Sequence, residues 1–299
     1  MAPISKHQSA KTTKMLILGD SGSGKSGALA ALANAGYNLR IADIDNGLDV
    51  LASYLNDPQG GYDPKAHERV EAVTITDTMR WVPMPGQPNK GKLMPQATVW
   101  PRLMGLLNDW SPETAAKWGP EFAEGGRKAP AKLGHISTWT ERDVFVLDTL
   151  SFAADAALKF VLAMNARLGT KAQLNDWGEA QLLVEGLLQM LYDESIKCNV
   201  IVNCHVKYIE SDGGISKGFP ESVGKALSPK IGRYFNSAVL MKTQGKQHKI
   251  LTQSNSMIEL KTSAPMRVKP EYDIKYGLAE LFADLRGGEG AGVGGSNSK

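Results

Sequence analysis

The stretch ILGDSGSGKS, Ile17 to Ser26, sets three glycines, three serines and one lysine between a short apolar run and an alanine-rich segment. Gly19, Gly24, Lys25 and Ser26 fill the pattern G-x-x-x-x-G-K-[ST]. Glycines let successive backbone N–H groups curl around a phosphate with no Cβ in the way. A helix opening at Lys25 adds its unpaired N–H groups and the positive end of its dipole. The pattern points to a nucleotide cradle of Gly19, Asp20, Ser21, Gly22, Ser23, Gly24, Lys25 and Ser26. In it Lys25 reaches the β- and γ-phosphates and the Ser26 hydroxyl ligates Mg²⁺, so ATP and Mg²⁺ are the expected cofactors.

Outward from this loop, apolar runs alternate with helical stretches. MLIL (15–18) precedes it, and GALAALANAG reads as a helix closed by Gly36. LRIADI (39–44) and VEAVTI (70–75) read as further strands. DVFVLD (143–148) and NVIVNC (199–204) are continuous apolar runs, as in strands buried on both faces of a parallel sheet. Between the last two, Leu182, Leu183, Leu187, Leu188 and Leu191 fall at helical spacing. Strand, helix and strand in this order predict an α/β domain over 15–286 with a mainly parallel central sheet flanked by helices.

Two regions break the alternation. Residues 81–143 are rich in Trp, Pro and Gly, with VPMPGQPNKGKLMP least regular and only VWPRLMGLLNDW helical, which predicts a partly mobile insertion or lid. After Phe235, SAVLMKT, HKILTQ beyond a Gly245-Lys246 turn, and MIELKT predict antiparallel strands added at the C-terminal edge. GLAELFADLRGG reads as a closing helix. Residues 1–14 read as a flexible arm and 287–299 as a disordered tail.

The chain has 299 residues, 42% of them hydrophobic and 22% charged, as in an ordinary globular protein. No apolar run approaches the roughly 18 residues a membrane span needs, and the N-terminus lacks the apolar centre of a signal peptide. Cys198 and Cys204 are too few for a disulfide framework or a zinc site. A reducing, cytoplasmic location is expected. Net charge is only +3, but residues 207–275 hold twelve Lys or Arg against six Asp or Glu. Such a surplus can track a polyanion or simply be a solvated face.

A magnesium held through Ser26 calls for a second acid. Asp148, ending a buried run, faces the crevice at the carboxyl ends of the strands; it could instead cap the next helix, a task Thr149 or Ser151 could also perform.

These residues carry a resemblance to RecA-type recombinases. LRIADIDNGLDVL resembles the segment where an acidic-x-acidic pair ends the second strand. The resemblance implies Asp43 as the first acid and Asp45 as the group that orients the attacking water, with Asp49 on the following helix. Aspartate stands at 45 where the family has glutamate, and turn chemistry around Asn46-Gly47 is the other reading of all three acids. VIVNCHVK resembles the family's sensor strand, which implies His205 as the γ-phosphate sensor; a hydrogen-bonded strand-end histidine is the alternative. KYIESDGGISKGFPESVGKAL corresponds to the loop that holds single-stranded DNA, with Lys207, Lys217 and Lys225 for phosphates and Tyr208 and Phe219 for stacking. Lys261 in IELKTSAP, or less favourably Arg267, could complete a neighbouring subunit's site, or be a solvated strand-end residue.

More narrowly, GDSGSGKS, DVFVLDTLS, NDWGEAQ, VIVNCHVKYIE, GFPESVGKALSPKIGRYFN and IELKTSAP resemble phage-encoded nucleotide-binding proteins built on a minimal RecA-like core, some of which act in single-strand annealing. That resemblance implies a RecA-like P-loop fold, a Mg-dependent ATPase acting on single-stranded DNA in recombination, and a homo-oligomeric ring or filament without a membrane partner. A phage assembly or DNA-packaging ATPase, or a nucleotide-gated scaffold with a protein partner, keeps the same site. A small-molecule kinase would gather arginines on a lid, whereas Arg80, Arg102, Arg127 and Arg142 are scattered.

Overall fold

Apolar runs with little room for polar groups can only be satisfied between two helical layers, and the chain builds its sheet from them. The computed structural model describes residues 11–57, 60–84, 86–117, 129–210, 216–245 and 247–287. Strand β1 (Lys14–Leu18) leads through the glycine loop into α1 (Lys25–Ala28) and α2 (Ala30–Asn34). Then come β2 (Asn38–Asp43), α3 (Asp49–Asn56) and β3 (Val70–Thr74), followed by a ribbon of β4 (Met79–Met84) and β5 (Gln87–Pro95). Helices α4 (Val99–Asn108) and α5 (Pro112–Ala116) precede β6 (Asp143–Asp148), α6 (Leu150–Met164), α7 (Leu174–Tyr192) and β7 (Asn199–Cys204). An antiparallel pair, β8 (Val206–Glu210) and β9 (Ser216–Pro220), is followed by β10 (Ser237–Gln244), β11 (Gln247–Leu251), β12 (Glu271–Asp273) and α8 (Ile274–Leu285).

The main sheet runs β12-β11-β10-β1-β7-β6-β2-β3. From β10 to β3 every pairing is parallel; β11 and β12 add antiparallel pairings at the edge. Alternate side chains of one strand enter opposite cores. Leu16 and Leu18, with Phe145 and Leu147, pack under α4, α6 and α7. Met15 and Ile17, with Val144 and Val146, pack against α1, α2 and α8. The expected α/β architecture, a mainly parallel sheet with antiparallel edge strands, is the one observed, and β6 and β7 match the expected runs residue for residue.

Several local expectations need correction. The 81–143 region is not simply a lid: Trp110 is fully buried and meets Trp139 edge-on at 5.5 Å, and Trp139 in turn lies 6.3 Å from Phe145 of the central sheet. Its least regular stretch is the β4–β5 ribbon. Pro83, Pro88 and Pro95 are compatible with a two-stranded ribbon because each strand has an unpaired edge. Gly91 is required there, since a Cβ would lie 2.6 Å from the Trp81 ring. MIELKT is not a strand; it makes isolated bridges, Gly218 to Ile258 and Ala238 to Lys261, and the third edge strand is β12 instead. Lys261 fits there because β11 pairs with β10 only from Leu240 onward, leaving the backbone of Ala238 to pair with Lys261.

The supposed N-terminal arm ends early. Thr12 and Thr13 are buried, the Thr13 amide donates to Asn199 Oδ1 at 2.9 Å, and Lys14 belongs to β1. Residues 1–10 of that arm, Lys246 of the predicted turn and residues 288–299 of the predicted tail lie outside the described residues.

Phe145 joins the central sheet to the tryptophan pair, so Phe145→Ala should lower unfolding free energy by about 3–5 kcal/mol. Urea denaturation followed by tryptophan fluorescence measures it, with an unchanged m-value expected.

Candidate functional site

The glycine loop connects the carboxyl end of β1 to α1 as the motif requires. Gly22 and Gly24 have φ of +73° and +95°, values that side-chain-bearing residues rarely adopt. Gly19 is fixed by space instead: a Cβ there would lie 2.4 Å from Ser23 Oγ and 2.9 Å from the Met241 carbonyl. Lys25 is buried, and its ammonium donates to the carbonyls of Gly19 and Asp20, each at 2.9 Å. Burial holds its pKa below the ordinary lysine value, opposed by the charges of Asp148, Cys204, Asp45 and Asp20.

Asp148 sits at the end of β6, fully buried. Ser26 Oγ donates to its Oδ2 at 2.6 Å, and Asn203 Nδ2 on β7 donates to its Oδ1 at 3.0 Å. Burial pushes its carboxyl above the usual range, against the lowering effect of those two hydrogen bonds. Asp148 does not cap a helix. The N-cap position of α6 is Thr149, which makes no side-chain capping bond, and Ser151 Oγ accepts the His205 amide at 3.1 Å instead.

Asp43 lies opposite Asp148 in the β2–β6 register and accepts from Thr74 Oγ1 at 3.1 Å and the Gly47 amide at 3.4 Å. Burial raises the pKa of Asp43, and burial together with the neighbouring Asp43 raises that of Asp45. Asp49 is exposed in the first turn of α3, where a carboxylate complements the helix dipole, and the N-cap position itself is Leu48. His205 follows β7 with its ring 6.2 Å from that of Phe152; burial first, then Lys25, hold it below the ordinary histidine value.

A cleft of about 790 Å³ opens beside this loop, lined by Asp20, Ser21, Asp45, Ser151, Phe152, Trp177, His205, Lys207, Glu221 and Lys225 among others. Lys25, Ser26, Asp148, Asp45 and His205 are therefore gathered at one end of the sheet. The expected DNA-contacting residues divide. Lys207 and Lys225 line this cleft, whereas Lys217 and Phe219 line a second cavity of about 230 Å³ together with Lys261. Tyr208 is 47% exposed. The segment carrying them is less loop-like than expected: 206–210 pairs with 216–220, and residues 211–215 lie outside the described residues. Arg267 is engaged elsewhere, donating to the carbonyls of Asp284 and Leu285 at the end of α8, where a cation suits the helix dipole.

Sequence reasoning missed Asn203, Thr74 and His248, whose Nδ1 lies 3.1 Å from the Ser23 carbonyl. Asn203 had one signal, an amide inside an otherwise apolar strand; Thr74 and His248 had none.

The donor set suits a hard divalent cation. Ser26 Oγ and the Asp148 carboxylate would offer oxygen ligands, and Asp45 Oδ1, Thr149 Oγ1 and Asn203 Oδ1 are buried without hydrogen-bond partners. Among the described residues no group of three or more His, Cys, Asp or Glu side chains forms a closed metal cage, so phosphate oxygens and water would have to complete the shell. Among the described residues, too, no helix is long and apolar enough to cross a membrane.

No family model matches the chain, and no curated protein matches it. Among solved structures it is similar to an ATPase from the type III secretion system of pathogenic bacteria, with 15% identity and a TM-score of 0.39 over 77% of this chain and 52% of that one. It is also similar to the RadB recombinase, with 11% identity and a TM-score of 0.41 over 89% of each chain. The chain spans about half the length of the secretion ATPase. The strand order, with the glycine loop leaving β1 and Asp148 ending β6, gives the fold class: an α/β fold with a mostly parallel central sheet flanked by helices and antiparallel strands at one edge.

Because burial lifts Asp148 above its ordinary value of 3.8, the folded chain keeps a proton that the unfolded chain releases. Stability from this group therefore falls as pH rises from 3.8 through the raised value. Asp148→Asn removes that dependence, and urea midpoints measured at acid and neutral pH should lie closer together in the variant than in the wild type.

Proposed function

We propose that the chain binds ATP with Mg²⁺ on the Gly19–Ser26 loop and hydrolyses it, and that this cycle serves single-stranded DNA in phage recombination or annealing. The observation that carries the nucleotide half is the buried pairing of Ser26 with Asp148 beside the Lys25 ammonium. Backbone amides of the loop bind the phosphates, and Lys25 exchanges its carbonyl partners for phosphate oxygens, stabilising charge as the γ-phosphoryl transfers. Ser26 and Asp148 would hold magnesium, which supplies charge neutralisation on those oxygens. Asp45, with one carboxylate oxygen unpartnered, orients the attacking water. Its raised pKa favours accepting the water's proton over an ordinary aspartate. His205, bonded through its backbone to Ser151 and Glu221, would relay phosphate loss to β8 and β9.

The DNA half rests on Lys207 and Lys225 lining the same cleft as Asp45 and His205, so a ligand strand there would meet the nucleotide. Lys261 lies on the wall of the second cavity rather than in that cleft, a position open to a role in a neighbouring copy's site. The kinase reading gains nothing from the fold: Arg102 donates to the Thr76 carbonyl and Arg80 lines a separate groove.

Lys25→Ala should abolish the calorimetric heat of ATP binding, whereas Asp45→Ala should retain binding and lose turnover by about 100-fold or more. Single-stranded oligonucleotide should stimulate wild-type ATPase at low salt and less at high salt. Binding without any DNA effect would leave the nucleotide role and remove the DNA role. In mixtures, Lys261→Ala and Asp45→Ala should restore part of the activity if Lys261 acts across subunits; no recovery at any ratio rules that role out.

A further inference from the structure

Two apolar surfaces lie outside the lining of the nucleotide cleft, the second on α7, whose Trp177 does belong to that lining. The first is a groove of about 740 Å³ between the β4–β5 ribbon and the end of α6, lined by Val82, Met84, Met94 and Leu168, with Arg80 and Lys92. Met84 is 52% exposed in it. The second is the outer face of α7, where Leu174 is 86% and Leu182 70% exposed. The two leucines stand about two turns apart and roughly 80° around the helix, so both belong to one broad exposed side of α7. Large apolar side chains left together at a surface mark a contact site.

Their charges are opposite. Residues 79–95 contain Arg80, Lys90 and Lys92 and no carboxylate, whereas α7 contains Asp176, Glu179 and Glu185 and no Lys or Arg. Asp176 is buried against Arg167 and Glu185 pairs with Arg233, so Glu179 is the acid placed to meet an incoming cation; its own contact is an exposed one with Asn165. The two surfaces are also neighbours, because Lys92 Nζ donates to the Gly169 carbonyl at 3.3 Å, just before α7 begins. One patch thus holds both an apolar groove with basic residues and an apolar helix side with acidic ones, and a two-fold interface between identical chains requires both halves of such a match on each copy.

We propose that the chain pairs with a second copy of itself, α7 of each copy seated in the other's groove. Leu174 and Leu182 enter between Val82, Met84 and Leu168, a helix-in-groove contact, and Glu179 meets Arg80. The pairing is independent of the nucleotide reading.

Sedimentation of the full chain without nucleotide tests it. A dimer at micromolar concentration is expected, and Leu182→Asp should weaken it at least about tenfold while leaving ATP binding intact. Arg80→Glu should weaken it as well, and adding Glu179→Lys should restore it. Both native cysteines are buried, so introduced thiols report without background. A mixture of Met84→Cys and Leu182→Cys chains should cross-link under mild oxidation, and neither variant should do so alone. A monomer overturns the proposal. A dimer that does not cross-link and is unaffected by Leu182→Asp overturns it equally, because it must use another surface.

Discussion

The rest of the site depends on how one buried carboxylate is accommodated. Asp148 is fully buried at the end of β6, level with Asp43, Thr74 and Asn203 in the sheet, and an unpaired charge there would be costly. Ser26 and Asn203 each donate to one of its oxygens, and Lys25 lies within electrostatic reach. Because Lys25 and Ser26 open α1 at the end of the glycine loop and Asn203 lies on β7, satisfying Asp148 also fixes where that loop sits over the strand ends. Structural and chemical requirements coincide at this point: the hydroxyl that neutralises the acid is the one a magnesium ion would need.

Legibility in the sequence followed the range of the information. Strands β6 and β7 were readable to the residue because burial on both faces leaves an unbroken apolar run. Lys25, Ser26 and Asp148 were readable because a loop motif and a strand end are local features. The β4–β5 ribbon was hidden by its prolines and glycines, which argue against a central strand but not against a ribbon with free edges. Asn203 and Thr74 were hidden for a different reason. Each is an ordinary polar residue until the register places Asp43 opposite Asp148, and that alignment is decided by pairing between distant segments. The Trp110–Trp139 contact belongs to the same class, since nothing near either residue marks its partner.

The basic surplus of the C-terminal third proved to be distributed, not pooled. Lys207 and Lys225 face the nucleotide cleft, Lys217 and Lys261 line a smaller cavity, and Arg267 holds the end of α8. A count of charges along the chain records none of this, because the wall each lysine lines is set by contacts between segments distant in sequence.

The imidazole of His248 has a mechanical consequence. It sits on β11, an outer strand, yet its Nδ1 lies 3.1 Å from the Ser23 carbonyl and 3.1 Å from Thr243 Oγ1. With the proton on Nδ1, the ring props a carbonyl of the glycine turn from outside the sheet. The position of β11 is thereby tied to that of the glycine turn, so any displacement of the strand would have to stretch this hydrogen bond or carry the Ser23 carbonyl with it.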